Sequence, residues 1–262
     1  MSKQGRLVCV GVGMTLGAHI SPICRSHIED ADIVFCSVSD PLVERWIEQL
    51  STHFENLQHY YQEGKDRRET YQQMIDAVML AVRAGKHVVA AFYGHPGVFA
   101  MAPHKMVQQA LKEGFNAHME PGISAEDCLY ADMLIDPGKY GCQHYETTQF
   151  MLYQRIIDTS AYLILWQIGL AGDIGAKHYV AGLKQRQILL DLLEQAYPSD
   201  TRVALYEAPT LAVHQARIEW FELSELLDVT INQHSTLVIP PARQMQRNEL
   251  VATLLKNLND EV

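Results

Sequence analysis

At 262 residues the chain exceeds one ordinary domain and suits two α/β halves of roughly 100–150 residues each. A hydrophobic fraction of 48% beside 20% charged residues supplies a sizeable core and excludes extended disorder. The formal net charge of −10 argues against a general nucleic-acid binder, which carries a basic stripe, and reads most simply as an aid to solubility.

The apolar run at residues 7–10 ends in Gly11-Val12-Gly13, which predicts a buried first strand and a tight turn. A helix is expected over residues 21–30, a strand over 32–35 and a helix from Pro41 to Leu50, with proline in its first turn. Residues 56–60 read as a third strand. From residue 67 to 84, Tyr71, Met74, Ile75, Val78, Met79 and Val82 recur on one face of a 3.6-residue period, and Gly85 follows as a C-cap. A strand at 88–92, a helix at 103–113, a strand at 115–119 and a helix at 124–133 complete this half. Such alternation predicts a mostly parallel sheet covered on both faces.

Ile135-Asp136-Pro137-Gly138-Lys139-Tyr140-Gly141 breaks the periodicity and is the expected boundary, giving domains at 1–135 and 142–262. Beyond it, 149–153, 161–168, 203–207, 217–221 and 236–239 read as strands of a mixed sheet, with helices at 185–196 and 248–258. Five widely spaced cysteines, Cys9, Cys24, Cys36, Cys128 and Cys142, contain no C-x-x-C pair, so neither a disulfide framework nor a zinc motif is expected. No signal-peptide apolar region follows Met1, and no apolar run is long enough to span a bilayer. The expected setting is the reducing cytoplasm.

Three turns hold the candidate chemistry. Gly11-x-Gly13 lacks the third glycine of a dinucleotide fingerprint, since Leu16 stands there, and is better read as a strand-to-helix turn. Tyr93-Gly94-His95-Pro96-Gly97-Val98-Phe99 follows a buried strand, where ligands of open α/β sheets bind. A plain turn requires neither the tyrosine nor the histidine. Pro121-Gly122-Ile123-Ser124-Ala125-Glu126 repeats the pattern, although a capped helix start explains the same residues.

Together with Ser235-Thr236-Leu237-Val238-Ile239-Pro240-Pro241, these turns resemble the tetrapyrrole methylase superfamily over essentially the whole chain. That likeness implies two α/β domains with S-adenosylmethionine folded into the cleft between them. Gly13 is followed by Met14-Thr15-Leu16 where corrin methylases carry Pro-Gly-Asp, a departure that counts against a tetrapyrrole substrate. A narrower likeness rests on Arg67-Arg68-Glu69-Thr70-Tyr71-Gln72-Gln73-Met74, Leu165-Trp166-Gln167-Ile168 and Tyr206-Glu207-Ala208-Pro209, with residues 56–61 and the two glycine turns. These resemble the borosin α-N-methyltransferases, which methylate backbone amides of a ribosomally made precursor peptide. Because the sequence ends at Leu258-Asn259-Asp260-Glu261-Val262, the resemblance is to the bacterial split type, with the precursor on a separate chain. It implies a homodimer forming a heterotetramer with two precursors, releasing S-adenosylhomocysteine, with no nucleic-acid or membrane partner. The alternatives are a small-molecule, tetrapyrrole-type methylase and a non-catalytic peptide-binding module.

Amide methylation needs a proton acceptor and a donor for the charge that accumulates on the carbonyl oxygen. Arg67 and Tyr71 lie i, i+4 on one helix face, so Arg67 can meet that charge and favour a phenolate. The resemblance implies Tyr71 as base, with Tyr61 and Tyr93 supporting amide and cofactor. Tyr71 also fits the apolar stripe as a core residue, and Tyr60 competes with Tyr61 for the inward position. For the cofactor, the resemblance implies Tyr93, His95, Val98, Ala100, Ser124, Ala125, Gln167, Ala208, Ser235 and Thr236. Val98 and Ala100 can equally be packing residues, and Gln167 a buried amide between strands. No metal is implied by the sequence motifs.

Overall fold

The computed structural model describes residues 5–260 except 176 and 179. The readings placed on Met1–Gln4 and on Glu261 and Val262 lie outside the described residues.

Strands β1 (Arg6–Gly11), β2 (Ile33–Ser37), β3 (Phe54–Asn56), β4 (His87–Phe92) and β5 (Asn116–Glu120) form a wholly parallel sheet in the order β3-β2-β4-β1-β5. Helices α1 (Pro22–Glu29) and α2 (Pro41–Leu50) cover one face, where Val8, Val10, Val34 and Val89 pack with Ile28 and Ile47. Helices α3 (Arg67–Arg83) and α4 (Met101–Lys112) cover the other, over Leu7, Cys9, Phe35 and Ala90. Burial from both sides is why the central strands are apolar without alternation. Gly11 pairs with Phe92, Ser37 with Phe92 and Val10 with Glu120, so the loops leaving β1, β2, β4 and β5 open at one edge.

Helix α5 (Ala125–Asp132) and the single turn α6 (Pro137–Tyr140) lead to the second sheet. It comprises β6 (Cys142–Glu146), β7 (Tyr162–Trp166), β8 (Arg202–Glu207), β9 (Arg217–Glu222) and β10 (Thr236–Ile239), ordered β6-β7-β10-β8-β9. Only the β6–β7 pair is parallel, so the sheet is mixed as expected. Helices α7 (Thr147–Leu152), α8 (Leu183–Leu193) and α9 (Glu249–Asp260) complete the chain.

Two sequence expectations fail for local reasons. Residues 58–60 form a 3₁₀ turn rather than strand, because the Asn56 side chain accepts the Gln58 N–H at 2.7 Å and bends the backbone. Residues 149–153 were expected as strand, but 147–152 are helix. The Glu146 carboxylate accepts the Thr148 and Gln149 N–H groups and starts that helix. The strand lies just before it as β6, whose Cys-Gln-His-Tyr-Glu sequence is polar because it is a partly covered edge.

Main-chain bonds tie the two sheets together. Leu16 N–H donates to Thr210 O at 2.9 Å, and Arg67 N–H to Gly175 O at 3.1 Å. The Tyr206 hydroxyl donates to Asp132 at 2.8 Å. Among the described residues, no helix is long and apolar enough to cross a membrane.

Candidate active site

The loops after β4, β1 and β5 meet backbone to backbone. Gly13 and Gly94 exchange N–H···O bonds of 3.1 and 2.9 Å. A Cβ on Gly122 would lie 2.2 Å from Gly94 O and 2.8 Å from Gly11 Cα, and one on Gly11 would lie 2.5 Å from Gly94 O. Glycine is required here because three turns share a space that holds only main chain. Their stack forms the floor of a crevice at the carboxyl edge of the sheet.

On that floor, His95 shapes its own loop, its Nδ1 accepting the Gly97 N–H at 2.9 Å. Ala100 begins α4 without any side-chain cap, which leaves the first-turn N–H groups of that helix directed at the loop. Val98 lies between them, half-buried. Ser124 and Ala125 start α5 beside Gly94. The Ser124 hydroxyl is held in a capping box, 2.7 Å from the Asp127 carboxylate.

The four tyrosine and arginine positions converge. Thr70 and Lys65 both donate to Tyr60 O, at 3.4 and 3.0 Å, and so fix the turn that carries Tyr61. Tyr61, rather than Tyr60, meets the other site residues. The Arg67 guanidinium lies 4.4 Å over its ring, and the Tyr71 ring stands edge-on to it at 6.4 Å. Tyr93 projects from the β4 loop within the electrostatic range of Arg67 and Tyr71.

Burial raises the Tyr71 pKa, while Arg67 and a hydrogen bond from Tyr61 lower it without cancelling the rise. The charge of Arg67 favours the phenolate, the direction expected of it, but desolvation is the larger effect and leaves the pKa raised. Glu146, at the end of β6, adds to the rise. Burial likewise raises Tyr61, against opposing contributions from Arg67 and a Ser37 hydrogen bond. Desolvation raises the Tyr93 pKa too, with the charge of Arg67 opposing it.

The second sheet supplies the opposite wall. Gln167 leaves β7 with φ 57° and ψ 42°, a left-handed conformation uncommon for a residue with a side chain. Phe99 also has positive φ, at 48°, and its ring lies 5.5 Å from Trp166 across the crevice. Ala208 follows β8, next to Pro209, whose carbonyl accepts from Thr15 Oγ1 at 3.4 Å. Ser235 and Thr236 are buried. The Ser235 hydroxyl donates to Glu207 at 2.5 Å and accepts Asn232 N–H at 2.8 Å, so its side chain is committed within the protein.

Glu207 is the hub of this wall, bonded also by Arg217 at 2.9 Å and Asn232 at 3.0 Å. Burial pushes its carboxyl pKa up, but the Ser235 and Asn232 hydrogen bonds and the charges of His234 and Arg217 leave it below the ordinary 4.5. A folded-state pKa below the unfolded one stabilises the fold at neutral pH, and that contribution fades as pH falls below about 4.5. Glu207→Gln is expected to lower the Tm at pH 7 and to narrow the gap to the wild type by pH 4, measured by thermal scans at both pH values.

Sequence reasoning missed Ser37 and Glu146, and it quoted Phe99 and Glu207 within their turns without assigning them a role. Ser37 and Glu146 occupy strand ends, the same position that singled out Tyr93, but Glu146 belongs to a strand that was not recognised.

Residues 6–227 match the model of the tetrapyrrole (corrin/porphyrin) methylases. The chain belongs to that family. Members of the family are S-adenosylmethionine-dependent methyltransferases. Among solved structures, the chain matches uroporphyrin-III-C-methyltransferase from Thermus thermophilus with a TM-score of 0.65, at 17% identity over 90% of this chain and 94% of that one. It matches the cobalamin-biosynthetic cobalt precorrin-4 methyltransferase at 0.63, with 14% identity over 92% and 96%. Both show the fold.

Sequence relatives are nearer. A methyltransferase/ribosomally synthesized type I borosin cyclic peptide precursor of Coprinopsis marcescibilis is 36% identical over 98% of this chain and 67% of its own length. The corresponding gymnopeptides precursor of Gymnopus fusipes is 37% identical over 95% and 62%, and the omphalotin A precursor of Omphalotus olearius 34% over 97% and 62%. The chain thus spans about two thirds of the length of these curated relatives.

Proposed function

We propose that this methyltransferase transfers methyl groups from S-adenosylmethionine to backbone amide nitrogens of a precursor peptide supplied as a separate chain. The observation that carries the reading is the convergence of Arg67, Tyr61, Tyr71 and Tyr93 beside the glycine floor. Similarity to the borosin methyltransferase/precursor relatives supports the peptide as acceptor.

The donor set fits the cofactor. Uncapped N–H groups at the start of α4 suit a carboxylate, and the partly exposed ring of Phe99 suits an adenine. Tyr93, His95, Val98, Ala100, Ser124 and Ala125 would line one side, and Gln167, Ala208, Ser235 and Thr236 the other. When bound, S-adenosylmethionine supplies an electrophilic methyl group.

An amide nitrogen becomes nucleophilic only as its proton leaves, and negative charge then gathers on the carbonyl oxygen. Tyr71 is the acceptor for that proton. Its raised pKa makes its anion scarce but strongly basic. Arg67 meets the oxygen charge in a site where partial exclusion of water strengthens the interaction. Tyr61, held under Arg67, and Tyr93, reaching from the floor, orient the amide plane. The cytoplasm is the proposed setting and a homodimer the proposed state, with Leu250, Leu254, Leu255 and Leu258 of α9 exposed for a second copy.

The test incubates the chain with S-adenosylmethionine and a leader-plus-apolar-core peptide encoded beside its gene. Tandem mass spectrometry should show successive methylene mass increments on backbone nitrogens. Methylation confined to side chains or termini, or no transfer to the peptide, overturns the reading.

A further inference from the structure

Away from the crevice, His27, His118 and Glu120 bring three metal-ligating atoms within 4.8 Å of one another. Neighbours in sequence do not reveal this cluster, since His27 lies on α1 and the other two on β5. The strand register explains the convergence. Val8 pairs with His118 and Val10 with Glu120, so in a parallel ladder these residues share the face on which Val8 and Val10 pack with α1. His27 descends from the helix onto that row.

We propose that His27, His118 and Glu120 bind a divalent first-row transition metal, zinc foremost, which staples α1 to the end of β5. His118 Nε2 stands 3.2 Å and His27 Nε2 3.8 Å from Glu120 Oε1. A tetrahedral ion with ligands at about 2.0–2.1 Å needs donor atoms roughly 3.3 Å apart, so small rotations of partly exposed side chains complete the triangle. Two imidazoles and one carboxylate select zinc, cobalt or nickel over magnesium or calcium, which require more oxygen ligands.

His87 is an independent pointer. It is buried on the same sheet face, and its ring lies 6.3 Å from that of His27. Its Nδ1 lies 2.8 Å from Arg6 Nη2 and 3.2 Å from Asp30 O, while its Nε2 is buried without a hydrogen-bond partner among the described residues. That nitrogen thus lacks a polar neighbour on the face that carries the cluster. Three protein ligands leave one position on the ion for water, which would supply a polar neighbour to that side of the cluster.

The location gives the ion a structural consequence. Glu120 directly precedes Pro121 and Gly122, the turn that packs against Gly11 and Gly94. The Cys24 thiol of α1 also reaches that turn, 3.5 Å from Pro121 O. Metal binding would hold the crevice floor from beneath without touching the reacting groups.

The test uses the full chain without an affinity tag, stripped with chelator and titrated with zinc chloride alone. One equivalent should bind by calorimetry and raise the Tm by about 5–10 °C at a hundredfold excess over Kd. Cobalt chloride should give the intense visible bands of a tetrahedral site. His118→Ala and Glu120→Gln, both at partly exposed positions, should each weaken zinc binding at least about tenfold while keeping the metal-free Tm. Absence of stoichiometric zinc binding, or wild-type affinity in both variants, overturns the proposal.

Discussion

Tyr71→Phe is expected to lower methyl transfer to the peptide by about 10²–10⁴-fold while leaving S-adenosylmethionine affinity within a factor of a few. The substitution deletes one hydroxyl and keeps the ring that packs edge-on to Tyr61, so the helix and its buried stripe are preserved. Loss of the proton acceptor then acts on the chemical step alone. Calorimetric cofactor binding and single-turnover peptide methylation separate these outcomes. A parallel loss of both would assign Tyr71 to packing.

The same residue sets a pH dependence. Its pKa is raised above the ordinary 10.0, chiefly by burial. The reactive anion therefore increases tenfold per pH unit throughout the neutral and mildly alkaline range. For the wild type, log kcat/KM should rise with unit slope from about pH 7 to 9, because that ratio reports the free enzyme. In Tyr71→Phe the slope should flatten. Retention of the unit slope in the variant would place the essential base elsewhere.

Gly122→Ala should be severely damaging to the crevice floor. The new Cβ would meet Gly94 O at 2.2 Å and Gly11 Cα at 2.8 Å, main-chain atoms on both sides that have no rotamer to yield. Overpacking of this kind costs about 3 kcal/mol or more. Because the displaced atoms are the floor itself, cofactor binding should fall further than stability does. Gly114→Ala is the control. It has no atom within 4 Å of the added Cβ but φ +83°, so it tests backbone strain alone, about 1–2 kcal/mol. Urea unfolding and cofactor titration of both variants distinguish steric loss of the floor from a general glycine effect.

Much of the first sheet was legible because its strands and helices are long enough to show their period. The limits of α2 and the start of α3 fall where Pro41 and the apolar stripe put them. The 3₁₀ turn at 58–60 and helix α7 escaped because one side chain each, Asn56 and Glu146, bends the backbone locally. Neither leaves a periodic trace. Strand β6 escaped because an edge strand need not be apolar on either face.

The glycine turns and the Arg67–Tyr71 helix face were also readable, since turn chemistry and i, i+4 spacing are local properties. Three things required the tertiary structure. Only assembly shows that Gly11, Gly94 and Gly122 occupy one space, because steric exclusion between distant segments has no sequence spacing. Only assembly sets the balance at Tyr71, where burial outweighs the charge of Arg67. Only the parallel register lays His118 and Glu120 under His27, three groups with no shared motif. Sequence by itself thus determined the turns and the helix face on which the candidate residues stand. Packing decided which of them meet, and that burial outweighs the charge of Arg67 at Tyr71.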